Sequence, residues 1–246
     1  MKTTAKNLNY YYLIGIGLLF AVIFVISFSI GKYPVAPNDL IHVLLGKLFG
    51  SAKDWSNEVE LVIFKIRMPR ILAGALIGAG LSAAGAAFQG LFRNPMVSPD
   101  LLGASSGAGF GAAVSLFLGL NYVTVTLNSF ICGTVAVILA YLISTRVRQN
   151  PTLGMVLAGI MISSLFTSGT SFIKLVADPN NVLPAITYWL MGSIAGVSAE
   201  GLRFAAVPII CGMAVLLVVR WKINLVTMGE TRHVPWVSIQ KQCASS

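Results

Sequence analysis

Long runs of apolar residues, separated by polar segments, follow one another along most of this 246-residue chain. Each run has roughly the 20 residues that an α-helix needs to cross the hydrocarbon core of a bilayer. Charged residues gather between the runs, which favours membrane-spanning helices over the amphipathic helices of a soluble protein. An apolar piece at 185–194 is too short to span. The pattern predicts six spans, at about residues 10–30, 69–91, 101–120, 123–144, 152–176 and 204–219.

The first apolar run has a competing interpretation as a signal peptide, because Lys2 and Lys6 precede it. The apolar region of a signal peptide has only about 7–15 residues and ends in a small-x-small cleavage site. This run is longer, and Ser27-Phe28-Ser29 is a weak cleavage site. We therefore predict a first helix that is retained.

Composition agrees with a membrane protein. Of the residues, 56% are hydrophobic and only 10% are charged, whereas a soluble domain carries about 25% charged residues. The sequence therefore predicts an all-α integral membrane protein, a polytopic helical bundle. The net charge of +9 does not indicate nucleic-acid binding, because the basic residues lie between the apolar runs instead of forming one patch. The three cysteines show neither metal-ligand nor disulfide spacing, and no cofactor is expected.

The basic residues also predict that the N-terminus lies inside the cell. With alternating spans, nine of the 17 Lys and Arg residues fall on the side of the N-terminus and eight on the other side. Four of those eight lie in the long polar segment 31–66, and long loops carry little weight in the positive-inside rule. The short loops on the side opposite the N-terminus are poor in basic residues.

Small residues recur at every fourth position in two neighbouring stretches. Four-residue spacing places such residues along one helix face, and in a membrane such a face lets two helix backbones approach closely. We therefore expect two helix-packing faces, separated by the proline-rich break RNPMVSPD. Their members are Gly74, Gly78, Ser82, Ala86 and Gly90 in the first ladder, and Gly103, Gly107, Gly111, Ser115 and Gly119 in the second.

This sequence lacks the residues that several classes of membrane protein need for their function. No predicted span has Asp, Glu or His in its middle, which disfavours an ion-coupled carrier. Ser105 and Ser106 have no nearby base and are interpreted as packing hydroxyls instead of nucleophiles. Lys174, at a span end, is interpreted as snorkelling to the interface. A Walker A motif is also missing, so any energy for transport must come from another polypeptide.

Four motifs carry a close resemblance to the FecCD-type permease subunits of iron-siderophore, haem and cobalamin importers. They are RMPRILAGALIGAGLSAAGAAFQGLFRNPMVSPDLLGASSGAGFGAA from Arg67, LAGIMISSLFTSGTSF at 157–172, YWLMGSIAG at 188–196 and INLVTMGE at 223–230. The resemblance covers nearly all of residues 1–230. It implies about six of the roughly ten spans of a type II ABC importer permease, in the bacterial cytoplasmic membrane.

The resemblance also implies a function and partners. The chain would translocate an iron-siderophore, or a related chelate such as haem or cobalamin, into the cytoplasm, and would perform no covalent chemistry itself. The implied partners are a separate ABC ATPase subunit, a second permease subunit that is identical or paralogous, an extracytoplasmic substrate-binding protein and membrane lipid.

Roles for individual residues follow from the same resemblance. Arg67 and Arg70 match positions that face the binding protein, although the same residues would equally suit anchoring of a helix at the headgroup level. Gly229 and Glu230 match the start of the region that docks on the ATPase. The residues that would line or shape the translocation path, or pack its helices, are Gly74, Gly78, Gln89, Asn94, Pro95, Gly103 and Gly107.

The last 16 residues, TRHVPWVSIQKQCASS at 231–246, resemble nothing in the family. We interpret them as a tail that follows a C-terminally truncated or frameshifted permease domain at 1–230. The alternative function is therefore that of a truncated, non-transporting paralogue that acts only as a membrane interaction partner.

Overall fold

The computed structural model describes residues 2–31, 33, 35, 38, 40–43, 46, 56–147 and 151–228. Every regular element within these ranges is helical, which confirms the all-α fold. Five of the described helices are long and apolar enough to cross a membrane: Tyr11–Ser29, Asn57–Phe92, Tyr122–Ser144, Leu153–Val176 and Ala199–Leu225.

The full bounds of the helices are as follows. α1 is Lys2–Ser29, α2 is Asn57–Leu61, and a π-helical segment Val62–Arg67 leads without a break into α3, Met68–Phe92. A 3₁₀ turn at Pro99–Leu102 precedes α4, Ala104–Phe117. The remaining helices are α5 (Tyr122–Ser144), α6 (Pro151–Val176), α7 (Val182–Met191) and α8 (Ala199–Met228).

The predicted third span, 101–120, differs from the structure. Its α-helical part, α4, has 14 residues, which at about 1.5 Å per residue is about 21 Å, short of the roughly 30 Å of a hydrocarbon core. The break has two local causes. Pro99 begins a separate 3₁₀ turn, and Gly103, with φ of 78°, takes a left-handed conformation that ends it. The short apolar piece at 185–194 lies largely in the ten-residue helix α7, so the prediction that it does not span is consistent with its length.

Side-chain caps mark two helix starts. The hydroxyl of Ser56 accepts a hydrogen bond of 3.2 Å from the backbone N–H of Val59 at the start of α2. The side-chain oxygen of Asn121 accepts one of 3.0 Å from the N–H of Thr124 at the start of α5. Each cap satisfies an N–H group that has no partner within its helix. The cap at Asn121 explains how α5 begins after so short a connection from α4.

The chain forms two compact units, Met1–Ala79 with Ile194–Cys211, and Gly80–Ser193 with Gly212–Ser246. In the first unit, an apolar cluster joins the end of α1 to the start of the α2–α3 helical segment. Its most buried members are Phe28, Val35, Leu40, Val43, Val59 and Ile63.

The second unit has two apolar clusters, both built around the short helix α4 and the turn before it. In the first cluster, Leu102 packs between small residues of α5 and α6. In the second, Ala113 of α4 packs with Ile173 at the end of α6 and Ile186 of α7. These clusters fix α4 against α5, α6 and α7.

Candidate functional site

Arg67 lies at the end of the π-helical segment and is only 8% exposed. Its guanidinium group donates hydrogen bonds to the backbone carbonyl oxygens of Phe28 and Tyr33. Since arginine keeps its charge in proteins, burial is tolerable only where acceptors surround the group. Gly31 makes room for it, because a Cβ atom there would lie 2.6 Å from Nη2 of Arg67. Arg67 therefore ties the end of α1 to the start of α3.

Arg70, one turn later, is exposed. It lines a cleft of 420 Å³ in the first unit together with Gly31, Tyr33 and Arg67. The two arginines that the sequence predicted to act together thus line the same cleft but differ in exposure. Docking of a binding protein at Arg67 and Arg70 stays a prediction, but only Arg70 presents its side chain to an incoming partner.

The middle of the first ladder of small residues faces open space. A Cβ atom at Gly78 would have no neighbour within 4 Å, and one at Gly74 would meet only the side chain of Ile194, at 3.9 Å. Gly78, Ser82 and Ala86 are exposed. The end of the ladder differs, because the hydroxyl of Thr227 on α8 donates to the carbonyl oxygen of Gly90 at 3.2 Å. The part of this face in a translocation path stays a prediction.

The second ladder lies against α5 at Gly107 and Gly111, whereas Gly103 lies against Ser163 and Gly159 of α6. A Cβ atom at Gly107 would lie 2.6 Å from that of Ala136 and 2.7 Å from the carbonyl oxygen of Cys132. One at Gly111 would lie 2.5 Å from the carbonyl oxygen of Asn128. The glycines thus allow the backbones of α4 and α5 to approach as in other small-residue membrane contacts. A role of Gly103 and Gly107 in the translocation path itself stays a prediction.

Gln89, near the end of α3, comes together with Asn94 and Pro95 of the turn that follows. The side-chain amide of Gln89 donates to the carbonyl oxygen of Pro95 at 3.2 Å, and the backbone N–H of Asn94 donates to the carbonyl of Gln89 at 3.2 Å. The side-chain oxygen of Asn94 accepts from the N–H of Met96 at 2.9 Å. All three predicted residues are exposed, and these hydrogen bonds define the shape of the turn.

Replacing Gln89 by leucine should loosen this turn without unfolding the chain. The variant loses one exposed hydrogen bond, worth about 1 kcal/mol. We expect Tm of the purified protein to fall by only a few degrees, while limited proteolysis between α3 and α4 becomes several-fold faster. Replacement of the exposed Leu91 by alanine is the control, and equal cleavage rates in the two variants would contradict the assignment.

The predicted ATPase-coupling residues Gly229 and Glu230 lie outside the described residues. Their role stays a prediction that follows from the motif INLVTMGE alone.

A hydroxyl-lined cleft in the second unit was missed by the sequence analysis. It has a volume of 180 Å³ and is lined by Ser105, Ser106, Gly109, Thr167, Thr170, Ser171, Lys174 and Leu190. The spacing of Thr167, Thr170, Ser171 and Lys174 places them on one face of a helix, and this signal could have been found. Their meeting with Ser105 and Ser106 depends on the packing of α4 against α6.

Comparison with known proteins places these features in a family. The model of the FecCD transport family matches residues 19–234. The molybdate import system permease protein MolB of Haemophilus influenzae is 34% identical over 218 residues, which cover 89% of this chain and 64% of that protein. The cobalamin import system permease protein BtuC of Halobacterium salinarum is 35% identical over 172 residues, which cover 70% of this chain and 46% of that protein.

A solved structure shows the same fold. It is an inward-facing conformation of a metal-chelate type ABC transporter, with a TM-score of 0.75 and 32% identity. The match covers 90% of this chain and 66% of the solved chain. This chain thus spans about two thirds of the solved chain and of the molybdate permease, and about half of the cobalamin permease.

Proposed function

This chain belongs to the FecCD transport family, and we propose that it acts as the membrane-spanning permease subunit of an ATP-binding cassette importer. The family match over residues 19–234 carries the proposal. The named relatives import different substrates, molybdate in one case and cobalamin in another. Within that range we propose an iron-siderophore, or a related chelate such as haem or cobalamin, as the cargo.

The N-terminus is proposed to lie in the cytoplasm, since the short loops on its side hold more of the basic residues. In this orientation α3 begins at the outer surface, where Arg70 faces a substrate-binding protein. The cytoplasmic end of α8 leads towards Gly229 and Glu230, which are proposed to contact a separate ATPase subunit. A second permease subunit, identical or paralogous, would complete the path.

The experiment that tests this function is uptake of a ⁵⁵Fe-siderophore in a strain that lacks the chromosomal copy of the gene. We expect the expressed chain to restore uptake that persists when a protonophore collapses the membrane potential, and to co-purify with an ABC ATPase. Uptake that the protonophore abolishes would identify an ion-coupled carrier. Co-purification without uptake would favour the non-transporting interaction partner.

Replacing Arg70 by glutamate should weaken the association with the binding protein by at least tenfold. A like charge placed opposite acidic residues costs several kcal/mol at an interface, and each 1.4 kcal/mol is about tenfold in affinity. Because Arg70 is exposed, Tm should stay the same. The measurement is binding of the purified binding protein to membranes that contain the variant.

Arg203→Glu is the matched control, since Arg203 is also exposed and lies on the same proposed side of the membrane. The docking assignment is wrong if this control weakens binding as much as Arg70→Glu, or if Arg70→Glu binds normally.

A further inference from the structure

The hydroxyl-lined cleft combines a single cation with several unused hydrogen-bond donors. Lys174 is half-buried, and within the described residues its ammonium group makes neither a hydrogen bond nor an ion pair. A lysine in the last turn of a helix ordinarily complements the helix dipole or the last carbonyl groups. Here its ammonium group makes no such hydrogen bond, and its side chain lines the cleft instead.

The hydroxyl groups of the cleft divide into two kinds. Thr170 donates to the carbonyl oxygen of Phe166 at 2.9 Å, and Ser171 donates to that of Thr167 at 3.0 Å, so their protons are already used. The hydroxyl groups of Ser105, Ser106 and Thr167 make no hydrogen bond within the part of the chain that the structure describes. These three hydroxyls and the ammonium group of Lys174 are therefore free to donate to one ligand.

Among the described residues, no acidic group pairs with this cation. Asp100, in the turn before α4, accepts the backbone N–H of Ser105 at 3.3 Å and does not line the cleft. Asp178, in the loop after α6, accepts hydrogen bonds from Asn180 and Asn181. The lining of the cleft therefore carries one positive charge and no negative one.

We propose that this cleft is a subsite that binds the anionic group of the transported substrate, an oxyanion or the carboxylate arm of a metal chelate. The identity of the ligand as cargo rests on the proposed function. A volume of 180 Å³ is below the roughly 300–1,000 Å³ of sites that enclose a whole drug-sized ligand, so the cleft holds one anionic group and not an entire chelate. Charge-assisted hydrogen bonds from Lys174 and the three hydroxyls supply both affinity and orientation.

The position of the cleft suits this role. In the proposed orientation the 3₁₀ turn Pro99–Leu102 and α4 together form the third crossing, so α6 runs outward. Lys174, in the last turn of α6, then lies towards the side from which a binding protein would deliver the substrate. Gly109 shapes the wall, since a Cβ atom there would lie 2.9 Å from a methyl group of Leu190 in α7. The short helix α7 therefore closes one side of the cleft.

The test is equilibrium binding of molybdate and, separately, of ferric citrate to the purified full chain in detergent at constant ionic strength. We expect Lys174→Gln to weaken binding at least tenfold, and Lys174→Arg to keep affinity within about threefold, since a charged donor is preserved. Thr167→Val, which retains the shape of the side chain, should weaken binding about threefold. Lys222→Gln, an exposed lysine outside the cleft, should bind as the unaltered chain does.

Binding of molybdate alone identifies the ligand group as an oxyanion, and binding of ferric citrate alone identifies it as a carboxylate. The proposal is overturned if neither anion binds, if Lys174→Gln binds normally, or if Lys222→Gln weakens binding equally. Because this assay needs no ATPase, the subsite can survive a failure of the uptake experiment. Conversely, uptake together with unchanged anion affinity in Lys174→Gln would remove the subsite and leave the transport function standing.

Discussion

Replacing Gly159 by alanine should destabilise the protein by about 3 kcal/mol, the upper part of the range for overpacking a close contact. Gly159 lies on α6 where the 3₁₀ turn before α4 crosses it. A methyl group at this position would overlap the carbonyl oxygen of Leu101 and would lie 2.9 Å from the carbonyl carbon of Leu101. It would also lie 3.1 Å from Cα of Leu102. All of these are backbone atoms, so no side chain can rotate away to relieve the overlap. The measurement is Tm of the purified chain in detergent.

Gly78→Ala is the control for this prediction. It makes the same change within a helix, but a Cβ atom at Gly78 would have no neighbour within 4 Å. Because alanine favours the helix over glycine by up to about 1 kcal/mol, Tm should stay unchanged or rise. If the two variants had the same Tm, the close crossing at Gly159 would not exist in the folded protein.

Replacing Arg67 by methionine should destabilise the chain by about 2–4 kcal/mol. Methionine keeps an unbranched apolar stem but removes both hydrogen bonds to the carbonyl oxygens of Phe28 and Tyr33. A buried acceptor left without a donor costs about 1–3 kcal/mol. We expect a clear fall in Tm, and a smaller fall for Arg67→Lys, because one ammonium group cannot reproduce the planar fork of a guanidinium.

Arg70→Met is the matched control, since it removes an exposed guanidinium three residues away. It should leave Tm unchanged. A normal Tm for Arg67→Met would show that the buried arginine does not hold α1 to α3. Arg67 would then again be a candidate, with Arg70, for contact with the binding protein.

The two arginines show where sequence reasoning reaches its limit. Both belong to one motif, and their spacing gives no reason to separate them. Arg67 is buried because its partners come from Phe28 and Tyr33, 39 and 34 residues away. A π-helical segment also precedes α3, and nothing in the local pattern predicts that irregularity.

The glycine ladders make the same point. Their four-residue spacing is identical, so the sequence predicts two equivalent packing faces. The structure places Gly107 and Gly111 of the second ladder against α5 and leaves the first ladder open at Gly78. Which helix covers which face depends on the packing of all the helices together.

The sequence by itself determined the membrane class, the helical fold, the approximate position of most spans and the family. These follow from local physical rules, because the bilayer demands apolar runs of nearly constant length with satisfied backbone groups. Only the tertiary structure decided the shortened third span, the burial of Arg67 and the cleft at Lys174. Each of these depends on contacts between segments that lie far apart in the chain, and such contacts leave no periodic signal along it.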